Sequence, residues 1–145
     1  MEKRVNIQQS QPDMYKAMFA LSAAVSKSKL SLIQKHLIKV RASQLNSCAY
    51  CINMHTKEAL QVGETQQRLF VLSAWKEADL FTEEEQAILA LTEEVTLIHQ
   101  GGVSEKTYQE ASKYFSPETI SEIIMSIVLI NGWNRIAVST HLPLD

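Results

Sequence analysis

Proline and glycine are scarce in this 145-residue chain: three prolines and four glycines leave few positions that would interrupt a helix. β-branched residues seldom alternate with polar ones, which argues against a sheet-dominated fold. Neither sign of charge is in excess. Fourteen Lys+Arg against sixteen Asp+Glu give a formal charge of −2, so the chain lacks the basic footprint of a nucleic-acid or acidic-lipid partner. The N-terminal stretch MEKRVNIQQSQPDMYKAMF has no apolar signal core, and the longest apolar run, IIMSIVLI, is too short to span a bilayer. A cytoplasmic protein with no membrane partner is expected. Cysteine is limited to two residues, which excludes a disulfide framework and a zinc site built from two separated cysteine pairs.

What remains is helical grammar. The 46% hydrophobic fraction suits one globular domain over residues 1–145, without linkers or repeats, and apolar residues recur at three- and four-residue spacing. This predicts an all-α, single-domain bundle of about six to seven helices. The first runs from Pro12 through Met14, Met18, Leu21 and Val25 to the polar SKSK. Ser31 caps the second, and a third starts after Asn46-Ser47 and stops at Gly63. ETQQRLFVLSAWKEA predicts a fourth. Thr82 and Glu85 have capping-box spacing and open a helix with Ile88, Leu91, Val95 and Ile98 inward, ended by Gly101-Gly102. Ser104 caps a short helix, and Ser116-Pro117 open a last one, apolar on more than one side, that reaches past Trp133.

Both cysteines fall in QLNSCAYCINMHTKEALQVG, residues 44–63. On a helix, Cys48, Cys51 and His55 project within roughly 60° of one another, with Ala59 beside them and Asn53, Lys57 and Gln61 opposite, so both thiols and the imidazole face inward. Cys48 falls in the first turn, where free amides and the helix dipole favour thiolate, and His55 lies one turn beyond Cys51, placed to exchange its proton. A dithiol with an adjacent base suits reversible thiol chemistry, with no cofactor and no metal. Two other readings of the residues stay open. All three side chains could be core, and Cys48, Cys51 and His55 could hold zinc with His36 or His99 as a fourth ligand.

The stretch LIKVRASQLNSCAYCINMHTKEALQVGETQQRLFVLSAWKE and the terminal INGWNRIAV resemble the carboxymuconolactone decarboxylase superfamily, in particular its alkyl hydroperoxidase D-like branch with a Cys-x-x-Cys-x-x-x-His signature. The resemblance extends from about Leu30 onward. It implies an all-helical homo-oligomer, a trimer or hexamer, that reduces a peroxide substrate and is reset by an external dithiol or other disulfide-reducing partner. Cys51 would be the peroxidatic cysteine, Cys48 the resolving one, and His55 part of a proton relay. The chain departs from the branch at two positions. His36 stands where the hydroperoxidases have a glutamate twelve residues before the first cysteine, and Tyr50 stands where they have a histidine.

His36 either replaces that glutamate as a relay group or is a surface or interface residue among Leu32, Lys35 and Lys39. Glu58 is a substitute carboxylate able to orient His55, although its position also suits an ordinary exposed glutamate. Trp133 reads as core or oligomer packing in preference to substrate contact. The expected function is that of a thiol-dependent peroxidase or disulfide oxidoreductase. The alternatives are a non-enzymatic redox-sensing or binding subunit, and a lactone decarboxylase, whose proton-transfer chemistry needs no dithiol.

Overall fold

A computed structural model of the chain describes residues 2–144, which form eight α-helices and two 3-10 turns, with no strand among the described residues. The caps expected from the sequence set most of the boundaries. Ser31 opens α3 (Leu32–Leu45) with a reciprocal capping box to Gln34, and Thr82 opens α6 (Glu83–Thr96) with the same arrangement to Glu85. Ser104 caps α7 (Glu105–Tyr114); Ser116, followed by Pro117, caps α8 (Pro117–Thr140). The remaining helices are α1 (Ile7–Ser10), α2 (Pro12–Ser26), α4 (Ala49–Gln61) and α5 (Gln66–Val71).

Helix α3 is the hub, packed against α4, α6 and α8. Ile38 and Ala42 of α3, Ile88 and Leu91 of α6, and Ile120, Ile123, Ile127 and Ile130 of α8 make one core cluster. Leu37 and Val40, on another side of α3, meet Ala59, Leu72, Trp75 and Leu89 in a second. A helix buried on two sides needs apolar residues around much of its circumference, and α3 and α8 supply them.

The structure corrects several expectations. The expected fourth helix is only α5 followed by a 3-10 turn, Leu72–Ala74, because Trp75 turns inward and its indole Nε1 donates to Glu93 Oε1 at 2.5 Å. Ile98 is not inward: α6 ends at Thr96, and Ile98 lies 58% exposed in a second 3-10 turn closed by left-handed Gly101. Helix α1, capped by Asn6, has no counterpart in the sequence reading. No residue of α2 is fully buried. By length and composition alone α8, 24 residues with mean hydropathy 1.3 over its most apolar stretch, matches a membrane-crossing helix, as buried core helices also do, and its Ile120, Ile123, Ile127 and Ile130 are packed in the core.

Candidate active site

The cysteine pair is built by the junction between α3 and α4. Helix α3 closes with Ser47 in the left-handed region (φ 53°) and with the Cys48 amide donating to the Ser43 carbonyl at 2.9 Å, a Schellman-type ending. Cys48 then serves as the N-cap of α4. Its sulfur accepts the Cys51 amide N–H at 3.4 Å, so it lies just outside the helix and not in the first turn. One residue thus terminates α3 and starts α4, and the adjacent turn carries Cys51 alongside it. Both cysteines are reduced and buried, packed with Ala137 of α8 and with Tyr50.

The two sulfurs differ in surroundings. Cys51 opens onto an apolar cavity of about 270 Å³ walled by Tyr15, Phe19, Tyr50, Met54, His55 and Trp133, among others, whereas Cys48 is not part of its wall. Burial, and next the hydrogen bond to the Cys48 sulfur, hold the Cys51 thiol well above the ordinary thiol range, against the lowering influence of the nearby Asn134 and Ser43 side chains. Behind the pair runs a polar chain, fully buried at Asn134 and Ser43 and half-buried beyond them: Asn134 Nδ2 donates to Ser43 Oγ at 2.9 Å, and Asn46 Nδ2 donates to both Asn134 Oδ1 and Asn131 Oδ1 at 2.9 Å. Asn134, with no exposed surface, is a site residue to which the sequence, weighed with its neighbours Trp133 and Arg135, assigned no chemistry. Its position beside Trp133 on an otherwise apolar helix was the available signal, since a buried amide on such a face needs polar partners.

His55 is buried, and its Nδ1 lies 2.9 Å from Glu58 Oε2. A carboxylate partner places the proton on Nδ1 and leaves Nε2 as the basic nitrogen. Burial lowers the His55 pKa despite the raising effect of Glu58, so the ring is neutral at pH 7. Glu58 is therefore no mere surface glutamate, but half-buried and engaged with His55.

His36 is likewise not a surface residue. It is 8% exposed, its ring centroid lies 6.3 Å from that of His55, and its Nδ1 stands 4.0 Å from Glu58 Oε2, beyond hydrogen-bond reach. Burial, with the Lys39 charge second, brings its pKa down to about 4, below the pH 6–7 range in which a replacement relay group would titrate. Of the expected residues, Cys48, Cys51 and His55 share one helix start and its inner face, while His36 meets His55 and Glu58. The exposed His99 takes no part. Trp133 packs against the core and also walls the cavity, its Nε1 donating to Ser22 Oγ at 3.0 Å.

A stability prediction follows from His36. In the unfolded chain the ring takes a proton near pH 6.5; in the folded protein it resists until about 4. The unfolded state therefore binds more protons between these values, and stability, complete above pH 6.5, falls as pH drops to 4. His36 accounts for up to roughly 3 kcal/mol of that loss. Urea unfolding of His36→Gln at several pH values, with chelator present, should show a flatter acid slope.

A family model, "Carboxymuconolactone decarboxylase family", matches residues 12–94. The uncharacterized protein YdfG of Bacillus subtilis is 37% identical over 139 residues, 96% of this chain and 95% of its own length. Among solved structures, ATU0492 of Agrobacterium tumefaciens, a protein of unknown function proposed to be the antioxidant defence protein AhpD, superposes with TM-score 0.96 at 37% identity, covering 99% of both chains. The debrominase Bmp8 shares the fold, with TM-score 0.84 at 19% identity over 95% of this chain and 74% of its own.

Proposed function

Since the chain belongs to the carboxymuconolactone decarboxylase family, on its alkyl hydroperoxidase D-like side, we propose that it is a thiol-dependent peroxidase whose Cys48–Cys51 pair cycles between dithiol and disulfide. The observation that carries this reading is the asymmetry of the pair. One sulfur faces a cavity shared with a neutral imidazole, and the other caps the helix directly behind it. In the proposed cycle His55 Nε2 accepts the Cys51 proton, and the thiolate attacks the terminal peroxide oxygen. The O–O bond breaks, leaving Cys51 as the sulfenic acid and releasing an alkoxide that takes the proton back from His55. Cys48 then attacks the Cys51 sulfur and expels water, forming the disulfide, which an external dithiol reduces in two exchange steps. Glu58 holds His55 in the required tautomer, and Asn134 supplies a hydrogen bond to the developing thiolate while Ser43, which donates to the Lys39 carbonyl, holds the Asn134 amide in place.

The cavity wall, mostly aromatic and aliphatic, favours a peroxide with an apolar body over hydrogen peroxide. The test is consumption of cumene hydroperoxide by the purified protein with a small dithiol, alongside a brominated pyrrole, because Bmp8 shows that this fold also serves debromination. Dithiol-dependent loss of peroxide supports the reading. Loss of bromide with no peroxide consumption overturns it. Exposed apolar residues on α8, Met125, Val128 and Val138, further support assembly into a homo-oligomer, which light scattering measures.

A further inference from the structure

We propose that His36, His55 and Glu58 form a binding site for a divalent first-row transition-metal ion. One potential ligand atom from each side chain lies within 4.8 Å of those of the other two, and these residues are the group of this kind found among the described residues. The set comes from two elements: His36 from the middle of α3, and the His55/Glu58 pair, one turn apart, from α4. Both cysteines lie outside it.

A second observation points to a ligand independently. The His36 side chain is only 10% exposed, and its Nδ1 is buried with no hydrogen-bond partner in the protein. A buried ring nitrogen without a partner is costly, and this one is turned toward Glu58 Oε2, 4.0 Å away, the same oxygen that His55 Nδ1 meets at 2.9 Å. Two imidazole nitrogens therefore converge on one carboxylate oxygen from different helices. The distances are too uneven for a three-way hydrogen bond. For a tetrahedral ion with ligand bonds near 2.0–2.2 Å, ligand atoms stand about 3.3 Å apart. The His36–Glu58 gap would close by less than ~1 Å, the His55–Glu58 contact would open by a few tenths, and the two imidazole nitrogens, within 4.8 Å of each other, would close by up to ~1.5 Å. Glu58, the most exposed of the three at 43%, is free to follow the ion, while the two rings turn toward each other to make the rest of the adjustment.

The donor set defines the class of ion. Two imidazoles and one carboxylate suit zinc with an open fourth position, or another borderline divalent ion, and not calcium or magnesium, which prefer oxygen ligands. Access is available through a cavity of about 270 Å³ whose wall includes His36, His55, Lys35 and Lys39. Lys39 is the opposing charge. It depresses the pKa of both imidazoles and would repel a cation in the same way. Binding exchanges the His55 Nδ1 proton for the ion; the ring stays neutral by carrying its proton on Nε2 instead.

The experiment titrates chelator-treated full-length protein with Zn²⁺ by calorimetry and with Co²⁺ by visible absorption, followed by a count of reactive thiols. The expected result is one ion per chain, a cobalt d–d spectrum without a thiolate charge-transfer band, and two thiols still reactive with metal bound. His36→Ala and Glu58→Gln should each weaken binding more than about 100-fold, beyond the usual cost of losing an outer-sphere partner. Lys39→Gln should tighten it several-fold by removing the like charge, a gain that a merely misfolded variant cannot produce. Absence of a stoichiometric ion overturns the proposal, as does a thiolate–cobalt band with both thiols protected. Peroxide turnover measured in chelator is independent of either outcome, so the peroxidase reading stands or falls separately.

Discussion

Replacing Cys51 with serine is expected to reduce dithiol-dependent peroxide turnover by roughly three orders of magnitude or more, to the uncatalysed background. Replacing Cys48 should instead permit one rapid turnover and then stall. The difference arises from the placement of the sulfurs: Cys51 lines the cavity, and Cys48 accepts the Cys51 amide behind it. Cys48→Ser should accumulate a sulfenic acid on Cys51, readable by mass spectrometry after trapping with a sulfenate-specific reagent. Cys51→Ser should label little. Equal labelling, or label on Cys48 alone, would reverse the assigned roles. Because burial and the Cys48 contact hold the Cys51 thiol above its ordinary range, the thiolate fraction increases with pH throughout the neutral region. In the proposed cycle, however, His55 and not bulk hydroxide takes the Cys51 proton, so the rate constant with peroxide should be level from about pH 7 to 9 and fall in acid as His55 is protonated; a roughly tenfold climb per pH unit would mean that His55 is not the base.

The second large effect is on stability. Arg68 joins the start of α5 to the start of α6: Nε donates to Glu64 Oε1 at 2.7 Å, Nη1 and Nη2 meet both oxygens of Glu85 at 3.0 and 2.9 Å, and Nη1 also donates to the Leu80 carbonyl at 2.6 Å. The guanidinium lies 4.6 Å from the Phe81 ring centre. Glu64 and Glu85 are 6% and 9% exposed, so removing Arg68 strands two buried carboxylates, and Glu85 also closes the Thr82 capping box. Arg68→Ala is expected to cost about 3–5 kcal/mol and lower Tm by roughly 10 °C. Arg68→Lys should recover little of this, because an ammonium cannot reproduce the forked contact to both carboxylates. Thermal unfolding of the two variants decides the matter; a loss of under ~1 kcal/mol in Arg68→Ala would mean that water replaces the guanidinium.

How far the sequence disclosed this molecule depends on the range of each interaction. Ser31, Thr82, Ser104 and Ser116 act on amides three residues away, so their caps were readable as local spacing. The shared inner face of Cys48, Cys51 and His55 was readable for the same reason. Glu58 was visible at i+3 from His55 but could not be distinguished from a solvated glutamate until the burial beneath α3 was known. Asn134 and Ser43, 91 residues apart, belong to the site only because α8 crosses the end of α3. The break after α5 escaped notice because helical periodicity continues through Trp75, and only tertiary packing draws that indole to Glu93. For His36 the sequence left a relay group and a surface or interface residue among lysines both open, and only the burial of its neighbours Leu37 and Ile38, which take the middle of α3 into the core, decides against the surface.

Helix α2 forms one wall of the Cys51 cavity without burying any residue fully. It is held by Tyr15 and Phe19, whose rings stand 5.4 and 5.5 Å from that of Trp133, by the Ser22–Trp133 hydrogen bond, and by Met18 against Gly132. So few buried contacts give it a low local opening free energy compared with α3 or α8. In a hydrogen-exchange experiment its amides should lose protection at lower free energy than those of α3 and α8, as a separate cooperative unit. The excursion that exchanges those amides is also the one that exposes the Cys51 sulfur to solvent, so slow oxidation of the resting protein by bulk oxidants should track the protection factors of α2 and not global unfolding.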